Sequence, residues 1–227
     1  MPETKTLFNT VAKNYDMLNT LFSMGIDRLW RKRLVQEIGN AGLVLDIATG
    51  TAEVAVEALN QLKNSYAVGV DPSAEMLEIG RKKLRAHGIE NRATLLPGVA
   101  ENLAFKDNTF DAVTIAFGIR NTVDPKKSLL EMNRVLKPGA KIAILEFAVP
   151  RNKIFSPAYM FYLKNLMPLV GAFFGTKKEY KYLGDSISIF PQRESFVELM
   201  GECGFNVKKT IELTMGTVII YVGIKRG

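Results

Sequence analysis

The chain has 227 residues, 47% of them apolar and 23% charged, which suits one domain built around a single core and excludes wholesale disorder. Its one cysteine, Cys203, and one histidine, His87, exclude an internal disulfide and argue against a cysteine-rich or conventional transition-metal site, so no metal is expected and a reducing, cytoplasmic setting is. Thirty basic residues against twenty-three acidic ones give a net charge of +7, which suits a nucleic acid, an anionic membrane surface or simply a solvated face; without interleaved aromatic and basic residues, nucleic acid is not the expected partner.

Residues 1–40 read as an N-terminal helical cap. Their opening, "MPETKTLFNTVAKNYD", lacks the basic end, apolar core and small-residue cleavage site of a secretory signal. From "LVLDI" onward, short apolar runs alternate with amphipathic ones: Glu53 to Leu62, "YAVGVD", Ser73 to Ala86, "ATLLPG", "FDAVTIAF", Lys126 to Leu136 and "AKIAILEF". This alternation predicts an α/β fold whose parallel strands are joined by right-handed helical crossovers. Asp71-Pro72-Ser73 reads as a strand-to-helix cap, and Lys137-Pro138-Gly139 as the stop between a helix and the next strand.

Within the expected core, residues 41–147, "LVLDIATGTAEVAVEAL" places an acid at a strand end, then small residues, then a helix. An open parallel sheet holds nucleotide-like ligands at such a place. Ala48, Gly50 and Ala52 permit close backbone approach, Asp46 is set to orient the loop, and the Asp71 carboxylate can take both hydroxyls of a ribose. A purely structural turn would read the same way. The G-x-G-x-x-G of a pyrophosphate site is missing, and Glu53 opens the helix, which would repel a pyrophosphate but not a cofactor bearing a sulfonium and an ammonium. Further on, "GVAENLAFKDNTFD" brings Ala100 and Leu103 to a turn that would border an adenine or lie on the surface. The fourth strand then breaks at Gly118 and delivers Arg120 and Asn121 at its tip.

Residues 148–190 form an expected substrate-cap insert. Its apolar stretch, Ile154 to Gly175, approaches the length of a spanning helix but is interrupted by Pro157, Lys164 and Pro168, which predicts a lid or interfacial segment. In residues 191–227 a helix from about Arg193 to Glu202 is followed by "FNVKKTIEL" and "GTVIIYVGIK", a short connection that favours an antiparallel pair. A parallel α/β sheet ending in such a hairpin is the architecture of S-adenosylmethionine-dependent methyltransferases.

Three blocks carry a closer resemblance. "FNTVAKNYDMLNTLFSMGIDRLWRK", "ENLAFKDNTFDAVTIAFGIRNTVDPKKSLLEMNRVLKPGAKIAILEF" and "YKYLGDSISIFP" resemble the ubiquinone/menaquinone biosynthesis C-methyltransferase family over nearly the whole chain. The resemblance implies a Rossmann-like class I methyltransferase with a seven-stranded, mostly parallel sheet, an antiparallel C-terminal hairpin and helices on both faces. It implies S-adenosylmethionine as cofactor, with contacts at Thr51, Asp71, Val99, Ala100 and Ala116, to which Met76 is added beside Asp46, Ala48 and Gly50. Three places depart from the family's pattern. The loop reads Ala48-Thr49-Gly50-Thr51-Ala52-Glu53 where relatives commonly show A-G-G-T-G-D, Val99 stands where Asn or Asp is frequent, and Ala116 where Ser is frequent.

The implied reaction methylates a ring carbon of a polyprenylated hydroquinone, demethylmenaquinol first and a ubiquinone-pathway benzoquinol second. Ring carbon is a poor nucleophile until a hydroxyl with a pKa near 10 loses its proton, so a fixed cation near the oxyanion is needed. Arg120 is the candidate for that role and Asn121 for a second ring oxygen, while Tyr15 would close over cofactor or substrate. Alternatively, Arg120 is a structural partner of Asp124 or Glu146 and Tyr15 a packed surface residue. His87 reads as an exposed helix-end residue, leaving water or a nearby carboxylate as proton acceptor. Phe155, Tyr159, Met160, Phe161, Leu166 and Met167 would line a path for the lipid tail or form ordinary core. Lys177, Lys178 and Lys181 would rest on anionic headgroups, giving transient contact with the inner face of the membrane. Oligomeric state is left open, a homodimer included. Another small-molecule S-adenosylmethionine methyltransferase, or a nicotinamide-dependent reductase, remains an alternative. RNA base methylation is disfavoured because the fourth strand ends in Ala116-Phe117-Gly118-Ile119 rather than an N/D-P-P-Y type motif.

Overall fold

The computed structural model describes residue 20 and residues 23–173 and 177–227. Its centre is a seven-stranded sheet in the order β3-β2-β1-β4-β5-β7-β6. The strands are β1 Leu43–Ile47, β2 Tyr66–Asp71, β3 Ala93–Pro97, β4 Phe110–Ala116, β5 Leu136–Phe147, β6 Phe205–Leu213 and β7 Val218–Lys225. β3, β2, β1, β4 and β5 pair in parallel, and β7 runs antiparallel to both β5 and β6. The expected hairpin is therefore present, closed by a 3-10 turn at Thr214–Gly216.

Side chains alternate across this sheet as a pleat requires. Leu45, Ile47, Val113, Ile115, Ile142, Ile144, Ile219 and Tyr221 share one core with α4 (Pro125–Val135) and α8 (Glu194–Glu202). Val44, Ala112, Ala143, Leu145, Val218, Ile220 and Val222 share the other with α1 (Asp27–Ile38) and α2 (Glu53–Gln61). Each large apolar side chain buried there contributes about 1.5–3 kcal/mol. With α3 (Ala74–Ala86) packed over β2 and β3, helices cover both faces. Burial on two sides is why the strands read as nearly unbroken apolar runs.

Of two boundary expectations, one holds and one shifts. Ser73 is the N-cap of α3, its Oγ accepting from the Met76 N–H at 3.2 Å, as the sequence suggests. Lys137-Pro138-Gly139, by contrast, lies inside β5 rather than before it. Leu136 leaves the helix and pairs with Phe110, the next partners are Ala112 and Lys141, and residues 137–140 bulge outward with Gly139 at φ 76°.

The insert folds as α5 (Phe155–Phe161), a π-helical turn (Tyr162–Leu166), α6 (Met167–Phe173) and α7 (Lys177–Ile189). Leu163, Met167 and Ile187 form its own small core, against which Tyr159, Met160 and Leu183 pack, while Ile154, Phe161, Leu166, Leu169 and Ile189 are exposed. Among the described residues no helix is long and apolar enough to cross a membrane.

Candidate active site

Chain order reverses between β1 and β4: one half of the sheet grows through β2 and β3, the other through β5. Ligands of open α/β sheets bind in the crevice at such a switch point, beyond the carboxyl ends of the strands. A cavity of ≈ 250 Å³ lies there, lined by the ends of β1 (Ile47, Ala48, Gly50), β2 (Val70 to Ser73, with Met76 of α3), β3 (Gly98 to Glu101) and β4 (Ala116 to Gly118, then Asn121 to Val123).

The loop after β1 is shaped by three left-handed residues, Ala48 at φ 51°, Gly50 at φ 54° and Ala52 at φ 65°. Such a backbone suits glycine, and the two alanines hold it at a cost in strain. What secures it is Asp46, fully buried beneath. Thr49 Oγ1 donates to one carboxylate oxygen at 2.6 Å and Thr114 Oγ1 to the other at 2.8 Å. Burial pushes Asp46 up to about 6, the two threonine bonds offsetting only part of that. Asp71 holds the loop from the far side, accepting from the Gly50 N–H and the Ser73 N–H, each at 2.9 Å. Its pKa too is raised by burial. Each carboxylate oxygen accepts two hydrogen bonds, so Asp71 keeps one lone pair per oxygen for a ligand in the cavity.

Of the cofactor residues expected from sequence, Ala48, Gly50, Asp71, Met76, Val99, Ala100 and Ala116 line the cavity. Asp46 and Thr51 do not. Asp46 works through Thr49, and buried Thr51 accepts from Lys83 Nζ at 3.2 Å. Glu53, expected to repel a pyrophosphate, is ion-paired with Lys83. Its charge is thus largely answered within the protein, and the argument from electrostatic repulsion weakens accordingly. Val99 and Ala116 offer no side-chain donor or acceptor, leaving that part of the wall to backbone groups and to Glu101, whose Oε1 accepts from the Val123 N–H at 2.6 Å.

The β4 end of the cavity begins at Phe117, held at φ 56° and stacked on Phe147 with ring centroids 4.3 Å apart. Trp30 of α1 meets both rings edge-on and donates from Nε1 to Thr214 Oγ1 at 2.8 Å. Gly118 carries the break after the strand, as the sequence suggests, without an unusual conformation; its φ is −111°. It is needed for close approach, because a Cβ there would lie 2.6 Å from the Ala48 methyl.

Arg120 is held inward and, unlike Asn121, does not line the cavity. Nη1 donates to Glu146 Oε1 at 2.6 Å and to the Phe117 carbonyl at 2.8 Å, and the guanidinium carbon lies 5.4 Å from the Phe147 ring centroid. Glu146 is the partner weighed from sequence; Asp124 instead caps α4 through the Lys127 N–H at 3.0 Å. Burial raises the Glu146 pKa, and Arg120 pulls it back down. Buried Nε of Arg120 has no hydrogen-bond partner among the described residues. Asn121 faces the cavity, donating from Nδ2 to the Phe117 carbonyl at 3.1 Å and accepting on Oδ1 from Tyr182 Oη at 3.2 Å. Tyr159, its pKa raised by burial, also feels the Arg120 charge.

Tyr15 lies outside the described residues, as do the side chains of Lys177, Lys178 and Lys181. His87 caps α3, exposed, with Nδ1 donating to the Lys83 carbonyl at 2.8 Å and no place in the cavity. Of the tail-path residues, Met167 belongs to the insert's small core and Phe161 and Leu166 face outward.

Residues 2–225 match the ubiE/COQ5 methyltransferase family. The chain belongs to that family. It is 45% identical over 224 residues to a ubiquinone/menaquinone biosynthesis C-methyltransferase of Geobacter sp. (strain M21), covering 97% of this chain and 95% of the relative. It is 40% identical over 227 residues to a demethylmenaquinone methyltransferase of Porphyromonas gingivalis, with 98% and 93% covered. A solved S-adenosylmethionine-dependent methyltransferase from Thermotoga maritima, titled a possible histamine N-methyltransferase, shares the fold with a TM-score of 0.69 at 23% identity, over 97% of this chain and 99% of that one. The protein is thus a methyltransferase, and the cavity at its switch point fits a nucleoside cofactor. Asp71 has lone pairs for a sugar diol, Val99 and Ala100 add apolar side chains to the lining, and the negative charge of the buried acids suits a cationic ligand better than a phosphate.

Proposed function

We propose that this methyltransferase carries the methyl group of S-adenosylmethionine to a ring carbon of demethylmenaquinol, with 2-polyprenyl-6-methoxy-1,4-benzoquinol as a second acceptor. The observation that carries the reading is full-length membership of the ubiE/COQ5 methyltransferase family, whose similar relatives include one named for demethylmenaquinone.

In this reading Asp71 holds the ribose hydroxyls, backbone groups around Val99 and Ala100 border the adenine, and the loop at Ala48–Gly50 takes the amino-acid end. When bound, the cofactor supplies an electrophilic methyl on a sulfonium. The protein's task is to make a ring carbon nucleophilic by favouring loss of the ring hydroxyl's proton. Arg120, always protonated and buried next to lining residue Asn121, stabilises the oxyanion through the edge of its guanidinium that Glu146 leaves free. Asn121 donates to the second ring oxygen. Glu146 already accepts from Arg120 Nη1, the Arg120 N–H at 3.4 Å and the Phe147 N–H at 2.9 Å. Fully buried, Glu146 serves to hold the cation, and the hydroxyl proton passes to water. As the S–CH3 bond breaks and the C–CH3 bond forms, the displaced ring C–H proton is then lost and the oxygen is reprotonated, so one proton is released overall. Exposed Phe161, Leu166, Leu169 and Ile189 support peripheral contact with the lipid surface that stores the prenylated acceptor.

The test is incubation of the protein with methyl-labelled S-adenosylmethionine and chemically reduced demethylmenaquinone, followed by mass spectrometry. Label on the quinone ring is expected; its absence from both quinols, with S-adenosylhomocysteine binding intact, would overturn the acceptor assignment.

A further inference from the structure

We propose that Tyr182 is a positioning residue for the transfer, acting through Asn121. The Phe117 carbonyl can only accept, so the Asn121 amide must turn its Nδ2 toward it. Oδ1 then faces Tyr182, whose hydroxyl donates to it at 3.2 Å. These two bonds hold the amide from both ends and fix its orientation at the cavity wall. One N–H and one lone pair are left over for a ligand.

Tyr182 lies on α7, 61 residues further along the chain than its partner. α7 packs directly on the 3-10 turn Ile119–Asn121. The hydrogen bond thus ties the insert that covers the acceptor to the strand end that meets it. Without the hydroxyl, the Asn121 amide loses the donor that holds Oδ1 and can rotate about its terminal torsion, which is broad for an amide side chain. An acceptor oxygen would then meet a donor that is correctly aimed only part of the time. Tyr182 does not itself line the cavity and touches its wall at Asn121, so its effect travels through that residue.

This inference rests on the reading that Asn121 meets a ring oxygen, and a double-mutant cycle separates the two. Tyr182→Phe keeps the ring and removes the hydroxyl. It is expected to lower kcat about 10-fold, the scale of one well-aimed hydrogen bond, while S-adenosylhomocysteine affinity by calorimetry stays within about twofold. Asn121→Ala is expected to lower kcat further, and Tyr182→Phe added to Asn121→Ala to change nothing more, because the group it acts through is gone. A kcat unchanged by Tyr182→Phe, or one lowered as much in the Asn121→Ala background as in the parent, would overturn the positioning role. If Asn121→Ala itself leaves kcat intact, the placement of Asn121 against the acceptor fails, and the inference with it.

Discussion

The proposed cofactor wall and the proposed acceptor wall, with the charged groups packed behind each, solve the burial of charge in opposite ways. On the cofactor wall, Asp46 and Asp71 are satisfied by neutral donors, two threonine hydroxyls and two backbone N–H groups, so their negative charge is not cancelled. On the acceptor wall, Arg120 is matched by Glu146 within a shell only 6% and 1% exposed at the side chains, so that wall is close to neutral. An acid bound by neutral dipoles keeps its field for a cationic ligand. A cation bound by an acid must share its field with whatever else it stabilises, and its usefulness depends on which edge of the guanidinium the acid occupies.

The largest expected effect comes from unbalancing the second wall. Arg120→Ala should cut turnover by ~10²-fold or more, the scale of removing an oxyanion stabiliser, while S-adenosylhomocysteine affinity stays within a few-fold. It should also destabilise the fold by about 3–5 kcal/mol, since Glu146 is left buried and unpaired. Arg120→Ala combined with Glu146→Gln removes the orphaned charge, so chemical denaturation should show most of the stability returning while turnover stays low. Recovery of turnover in the double variant would mean that Arg120 only offsets Glu146.

Next in size is the first wall's response to pH. Asp46 sits at about 6 when folded against 3.8 ordinarily. A group whose pKa is raised on folding contributes stability that is complete below the unfolded value and lost as pH rises through the folded one. That contribution amounts to about 3 kcal/mol between pH 3.8 and about 6. Asp46→Asn removes it, and the amide still meets Thr49 and Thr114. In urea titrations from pH 4 to pH 7 the variant should therefore gain on the parent as pH rises, by about that amount; a constant difference would show that Asp46 ionises normally in the fold.

How far the sequence discloses each wall follows from the same contrast. The cofactor wall grows from a contiguous stretch, Leu43 to Glu53, with Asp71 at the next strand end, so strand, acid, small residues and helix could be read in order. Its electrostatics could not. The pairing of Glu53 with Lys83 depends on how α3 lies against α2, and nothing in their spacing announces it. The strand order, too, came from alternation and fold analogy, whereas the bulge that draws Lys137-Pro138-Gly139 into β5 depends on pairing with Phe110. On the acceptor wall Arg120 and Asn121 stand out as polar residues at an apolar strand's tip; Glu146, 26 residues on, could be weighed as a partner beside Asp124, whereas Tyr182, 61 residues away, could not. Tyr182 belongs to the "YKYLGDSISIFP" block, a visible motif whose role only the packing of α7 supplies.

One contact between the walls is tight enough to test, and it carries the smallest predicted effect. Gly118 closes against Ala48, and a methyl at Gly118 would stand 2.6 Å from the Ala48 Cβ and 3.1 Å from Ile115 Cγ1. Its φ of −111° is open to alanine, so any cost of Gly118→Ala is overpacking and not backbone strain, about 1–3 kcal/mol. The displaced atom belongs to the cofactor loop, so the cost should also appear as weaker S-adenosylhomocysteine binding. Ala48→Gly removes the clashing methyl and relieves a left-handed residue at φ 51°. Added to Gly118→Ala, it should restore most of the stability and cofactor affinity, a gain exceeding what Ala48→Gly gives alone. If the two substitutions add independently, the loop yields elsewhere, and the cofactor and acceptor walls are not joined through this contact.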